Sequence, residues 1–144
     1  MVQPNIIVLT FDCRLVDNVC YFFQERAKLN HLDSQQICKH VFGSHGRLFE
    51  PYTESKMTEI FDIARSINSG SSHWWIGLDS IGHEGNQWHY TSSGKPKSTT
   101  ILGHSSLNSK NYCGAINFSN KHVFKTSCSN GYWSICETKN VKQE

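Results

Sequence analysis

Residues 122 to 128 read HVFKTSC, a phenylalanine and a lysine just ahead of a cysteine, inside a stretch with an unusual charge pattern. From Gly85 to Cys136 there is no Asp or Glu, while Lys95, Lys97, Lys110, Lys121 and Lys125 all fall within it. The chemistry open to that stretch is binding by ammonium groups, amides, hydroxyls and aromatic rings. Acid-base catalysis by paired carboxylates, and calcium coordination, whose charge carboxylates supply, have no residues there. The eight His form no HExxH motif and no helical i, i+4 pair. His83 and His89 lie in the hairpin region around WIGL, and His104 and His122 lie in the acid-free part. No enzyme is expected.

The six cysteines, Cys13, Cys20, Cys38, Cys113, Cys128 and Cys136, contain no CxxC pair of the kind zinc or redox sites use. Disulfides formed in an oxidising compartment are the simpler reading, and they leave no thiol as a nucleophile. Six cysteines allow fifteen pairings, so counting leaves the connectivity open. The opening MVQPNIIVLTF lacks a positive n-region, and its apolar run is too short for a signal core or a membrane span. Either a signal has been removed, or the chain is cytosolic and the disulfide reading fails. A secreted or extracellular domain without a membrane span is the expectation.

The elements that must position these residues fit one domain of 144 residues, with a core over about 11–138 and a net charge of +2. The four Arg all lie before Gly85 and do not cluster, so a nucleic-acid partner is not expected. NIIVLTF and VCYFF predict a hairpin around a short link with Cys13 and Cys20. LDSQQICKHVF predicts a short helix capped by Asp33, with Gln36 three residues on, and ended by Gly43 and Gly46. Thr53 caps a second helix with Met57, Ile60, Ala64 and Ile67 on one stripe and Phe61 beside it. HWWIGL and QWHY read as strands, as do NYCGAINF and GYWSICE, with a long polar loop, TSSGKPKSTTILGHSSLNSKN, between the two pairs. Trp75, Ile76, Leu78, Trp88 and Trp133 are expected in the core; Tyr112, Phe124 and Tyr132 fit either the core edge or a ligand.

This order resembles the C-type lectin-like domain in its long, six-cysteine form. The matching residues are Cys13, Cys20-Tyr21, Cys38, Gly46-Arg47-Leu48, Trp75-Ile76-Gly77-Leu78, Trp88 with Tyr90 and Gly94, Cys113, Cys128 and Ile135-Cys136-Glu137. The resemblance implies an α+β fold, two helices packed on antiparallel sheets with a long loop region, stapled by Cys38–Cys136, Cys113–Cys128 and an extra N-terminal bridge Cys13–Cys20. Sugar-binding members of that family hold calcium with an EPN or QPD triplet and a WND triplet ending three residues before the third core cysteine. Here the WND slot reads Val123-Phe124-Lys125, and ILGHSSLNSKNY contains neither other triplet. No calcium cofactor is expected at that site. Calcium could be gathered only from Asp79 and Glu84, which the family's main site does not use.

Two uses follow: carbohydrate recognition without the sugar-site calcium through the long-loop face, or a calcium-independent protein-interaction module of the receptor and ligand type. The candidate ligand-binding residues are His104, Asn108, Lys110, Asn111, Asn117, Phe124 and Lys125. Lys125 either replaces the ion or points to water. Asn117-Phe118-Ser119 is a sequon for N-glycosylation. The expected partner is a glycan or an extracellular protein, and an oligomer is compatible with the sequence. A third use, binding mineral, ice or matrix, would want regularly spaced Thr or acids, and the sequence has neither.

Overall fold

The computed structural model of the 144-residue chain describes residues 13–67, 73–81, 87–97, 112–117 and 122–138. A hairpin opens it. Strand β1 (Arg14–Val16) pairs with β2 (Val19–Leu29) across Asp17 and Asn18, which take φ of 51° and 67°. Asp and Asn tolerate this left-handed region better than other side chains, and a two-residue turn of that hand matches the twist of the strands it joins. The expected first strand, NIIVLTF, lies outside the described residues but for its neighbour Cys13. The partner strand is therefore the short Arg14–Val16, and Cys20 lies within β2 rather than in the link.

Helix α1 runs His31–Phe42 and begins earlier than expected. Asn30, not Asp33, is its N-cap: the Asn30 Oδ1 accepts from the Asp33 amide at 2.7 Å, which places Asp33 in the first turn where its charge suits the helix dipole. Gly43 closes the helix with φ of 76°, a value that glycine adopts without penalty. A 3₁₀ turn (Gly43–His45) leads to β3 (Gly46–Leu48). Helix α2 (Glu54–Ile67) is capped as expected, with the Thr53 hydroxyl accepting from the Lys56 amide at 3.1 Å. It buries Met57, Ile60, Phe61 and Ala64.

The remaining strands are β4 (Trp74–Asp79), β5 (Trp88–Tyr90), β6 (Pro96–Lys97), β7 (Cys113–Asn117), β8 (His122–Thr126) and β9 (Tyr132–Thr138). They join one sheet in the order β1-β2-β9-β4-β5-β6, with β3 on β9 and the β7–β8 hairpin on β4. The sheet is mixed: β4 and β9 run parallel, Trp74 beside Trp133, and every other pairing is antiparallel. Strand β6 is a two-residue strand inside the stretch read from sequence as loop.

All six residues of β4 are buried, the mark of a strand covered on both faces. Alternation sends Trp74, Ile76 and Leu78 into a cluster with Phe49, Met57, Ile60 and Phe61, while Trp75 joins Cys38, Leu48, Cys113, Ala115 and Cys136 in a second one. Helix α2 feeds the first cluster and α1 the second. Trp88 is buried as expected, whereas Trp133 is half-buried, with the Lys28 ammonium 5.7 Å from its ring. Three disulfides bind the elements: Cys13–Cys20, Cys38–Cys136 and Cys113–Cys128. The connectivity is the one the resemblance implied. The Cys38–Cys136 bridge ties α1 to β9, and Cys113–Cys128 ties β7 to the turn after β8.

Candidate ligand-binding face

Strand β8 carries two of the candidate residues, and its pleat sends them to opposite faces. Lys125 faces Tyr112 and Trp88: its Nζ lies 4.8 Å from the Tyr112 ring centroid, and Tyr112 meets Trp88 edge to face at 4.7 Å. The backbone makes room for this stack at Gly114, the register partner of Lys125, where a Cβ would come within 3.1 Å of Trp88 Cζ3. An ammonium over an aromatic face is an attractive arrangement, worth roughly 0.5–2 kcal/mol as the site dries. The half-buried Lys125 thus neither points straight to water nor stands alone.

Phe124 turns the other way, toward the cluster around Trp75. Its ring lies 4.7 Å from that of His73 and 6.4 Å from that of Tyr132, and His73 also meets Tyr132 edge to face at 4.9 Å. Tyr132 in turn packs on Trp75 at 4.7 Å. Polar groups border this half-buried set: the Asn130 amide donates to Thr126 Oγ1 at 2.7 Å, and the Thr126 and Tyr132 hydroxyls share a bond of 3.2 Å. Burial holds the His73 imidazole below its ordinary pKa, so at neutral pH it presents a neutral ring.

Of the other candidates, Asn117 ends β7 opposite His122, and His104, Asn108, Lys110 and Asn111 lie outside the described residues. Glu84 and His83 do so as well. Asp79 is buried, with Oδ1 accepting from the Ile81 amide at 3.0 Å and Oδ2 from the Thr91 hydroxyl at 2.7 Å.

A charged centre lies at the C-terminal end of β9, built on Arg47 and Glu137, which the family resemblance matched without giving them a role, and on Glu50. Glu137 Oε2 accepts from Arg47 Nε and from the Glu50 amide, both at 2.9 Å. Glu50 Oε1 accepts from the Tyr52 hydroxyl at 2.8 Å and lies 3.3 Å from Arg47 Nη1, and its Oε2 accepts from the Ser92 amide at 2.8 Å. Burial pushes Glu137 up to about 7 against the opposing pull of Arg47 and the Glu50 amide. Burial and then the bond to Glu50 push the Tyr52 hydroxyl up to about 12. Each acid also follows a core residue, Glu50 after Phe49 and Glu137 after Cys136. That pattern gives burial but not partners.

The family model described as the lectin C-type domain matches residues 27–138. This chain belongs to the C-type lectin domain family. Solved structures share the fold of this C-type lectin domain at low sequence identity. Human lithostathine superposes with a TM-score of 0.75 at 21% identity, covering 89% of this chain and 97% of that one. The C-type lectin CEL-I from Cucumaria echinata gives 0.72 at 18%, covering 88% and 94%. The mouse scavenger receptor C-type lectin carbohydrate-recognition domain gives 0.72 at 17%, covering 88% and 93%. No curated protein matches the chain in sequence.

The calcium that sugar-binding members hold requires a shell of six to eight oxygens. In this C-type lectin domain the slot ahead of Cys128 supplies a phenyl ring from Phe124 and an ammonium from Lys125. Those side chains do not fit a dication. Among the described residues, no group of three or more His, Cys, Asp or Glu comes together.

Proposed function

We propose that this domain is an extracellular, non-catalytic binding module that recognises a carbohydrate directly, without a bridging calcium ion. The observation that carries this reading is Lys125: its ammonium lies over the Tyr112 ring at the position where sugar-binding relatives place a metal-binding residue. A sugar offers hydroxyl oxygens on its edge and C–H groups on its faces. An ammonium donates to the first, and Tyr112, buried beneath Lys125, holds that ammonium in place. The three disulfides support the extracellular part of the reading, since such bridges persist in oxidising compartments.

The test is binding to a broad glycan array, in calcium and in EDTA, with the parent domain and with Lys125→Ala. Binding that survives EDTA and weakens in Lys125→Ala supports the proposal. Binding abolished by EDTA sinks it. Silence on the array under both conditions transfers the function to a protein ligand, the alternative use of this fold.

A further inference from the structure

A pocket of about 220 Å³ opens among α1, the 3₁₀ turn after it, β3 and the turn that follows β5. It uses no residue of β7 or β8, so it is separate from the Lys125 site. Gln35, Lys39, Arg47, Glu50, Thr91 and Ser92 line it. The volume corresponds to about seven waters' share of liquid, the scale of one sugar ring with its hydroxyls and below that of sites for drug-sized molecules.

What sets this pocket apart from a wet surface crevice is that most of its polar lining is held from behind. Gln35 Nε2 lies 3.1 Å from Nδ1 of the buried His31, whose Nε2 bonds the Ile76 carbonyl at 2.9 Å. Those bonds fix the imidazole tautomer, with Nε2 donating and Nδ1 accepting, and so the Gln35 carboxamide is the donor of the pair. The Thr91 hydroxyl gives its hydrogen to Asp79 at 2.7 Å. Arg47 is fixed by Glu137 at 2.9 Å, and Glu50 by the Tyr52 hydroxyl and the Ser92 amide, each at 2.8 Å. A lining already ordered loses little side-chain entropy when a ligand arrives.

The same bonds decide which hydrogen-bonding capacity is left over. Thr91 Oγ1, having donated, can only accept. The Gln35 carbonyl oxygen also accepts, while the buried Glu50 carboxylate is taken up by Tyr52, Ser92 and Arg47. Thr91 and Gln35 thus suit ligand hydroxyls. Arg47 is already paired with Glu137 and Glu50. The positive charge open to a ligand is therefore that of Lys39, which is exposed at the helix surface and can meet a ligand without first breaking an ion pair.

We propose that this pocket is a second saccharide site, for a single sugar residue that carries a carboxylate: hydroxyls to Thr91 and Gln35, the carboxylate to Lys39 at the edge of the pocket. The ligand class rests on the carbohydrate reading above, while the site itself owes nothing to Lys125.

The test follows backbone amides of the folded domain by NMR during titration with sodium glucuronate, with glucose and sodium acetate as probes of the polyol and the anion alone. Glucuronate is expected to move the amides of Gly46, Thr91 and Ser92 saturably. Glucose and acetate should each bind at least about fivefold more weakly, the size of one charge-assisted hydrogen bond at a surface. Lys39→Ala, which leaves the Arg47 network intact, should weaken glucuronate by about the same factor, and Lys125→Ala should change nothing at these amides. The proposal is overturned by the absence of a saturable shift there, by equal affinity for glucose, or by an unchanged affinity in Lys39→Ala. Array binding lost in Lys125→Ala but kept in Lys39→Ala, with no glucuronate shift in the pocket, would leave the first site standing and remove this one.

Discussion

Arg47 Nε donates to Glu137 Oε2 at 2.9 Å across ninety positions of sequence, joining the short strand β3 to the last strand. Truncating the arginine leaves Glu137 buried with its remaining partners but without a counter-charge. Arg47→Leu is expected to lower stability by about 3 kcal/mol, the range for breaking a buried pair by removing one member. Urea denaturation at pH 7.5 measures it; a loss well under 1 kcal/mol would mean the pair behaves as a surface one.

Glu137 also gives stability a pH dependence of definite sign. Its folded-state pKa is raised from the ordinary 4.5 to about 7 by burial, with Arg47, Glu50 and Tyr21 as the charged and titrating groups around it. The folded protein therefore holds a proton that the unfolded chain has released. This contribution is full below about pH 4.5 and is lost as pH rises through about 7. Glu137→Gln should remove that slope, which denaturation at several pH values between 4.5 and 7.5 would show. Equal slopes in both proteins would refute the assignment.

His31 acts in the opposite direction. Burial lowers its pKa below the ordinary 6.5, and both ring nitrogens are committed, to Ile76 and to Gln35. The unfolded chain takes up a proton that the fold excludes, so stability is full above about pH 6.5 and falls as the solution becomes more acidic. The limiting slope is about 1.4 kcal/mol per pH unit for one proton. His31→Gln should flatten the acid limb whatever it does to absolute stability.

Gly77 of β4 lies against the backbone of Leu48 and Phe49 and the side chain of Glu50. Its amide donates to the Phe49 carbonyl at 2.7 Å, and a Cβ there would lie 2.7 Å from the Leu48 carbonyl oxygen and 2.8 Å from Glu50 Cγ. Backbone cannot step aside cheaply. Gly77→Ala is expected to cost about 2–3 kcal/mol by overpacking, read as a lower Tm; an unchanged Tm would show that β3 and β4 can separate freely.

Removing the Cys38–Cys136 bridge, which spans 98 residues, should cost roughly 4–5 kcal/mol, against roughly 3 for Cys113–Cys128, which spans 15. Paired Cys→Ala variants compared by denaturation check the order. A reversed order would mean that native packing around the bridges outweighs loop entropy.

The strands with dense local signals were legible in the sequence. WWIGL is apolar without alternation because both of its faces are covered, and QWHY, YCGAIN and YWSIC are rich in rings and β-branched side chains. Helix α2 declared itself through Thr53 and its apolar stripe. Helix α1 was placed three residues late because Asn30 and Asp33 are both good caps, and only the bond from the Asp33 amide to Asn30 decides between them. The three-residue β3 and two-residue β6 have too few side chains to show a period. The six cysteines admitted many pairings, and only the family resemblance chose among them. For the ligand face, sequence adjacency of Phe124 and Lys125 hid the fact that a strand parts neighbours. Arg47 and Glu137 stood in the matched motifs, but their pairing with each other and with Glu50 was not legible, because the three meet only when β3 pairs with β9.

Strand β9 pairs with β2, β3 and β4 and carries Cys136, the partner of Cys38. On a ribosome, everything from the first hairpin to the Cys128 turn emerges before the strand that unites it. At about 5–20 residues per second, seconds pass in which the nascent chain exposes its rings and at least one unpaired thiol. Truncation before β9 would therefore remove the partner of β2, β3 and β4 at one stroke, together with the anchor of Cys38.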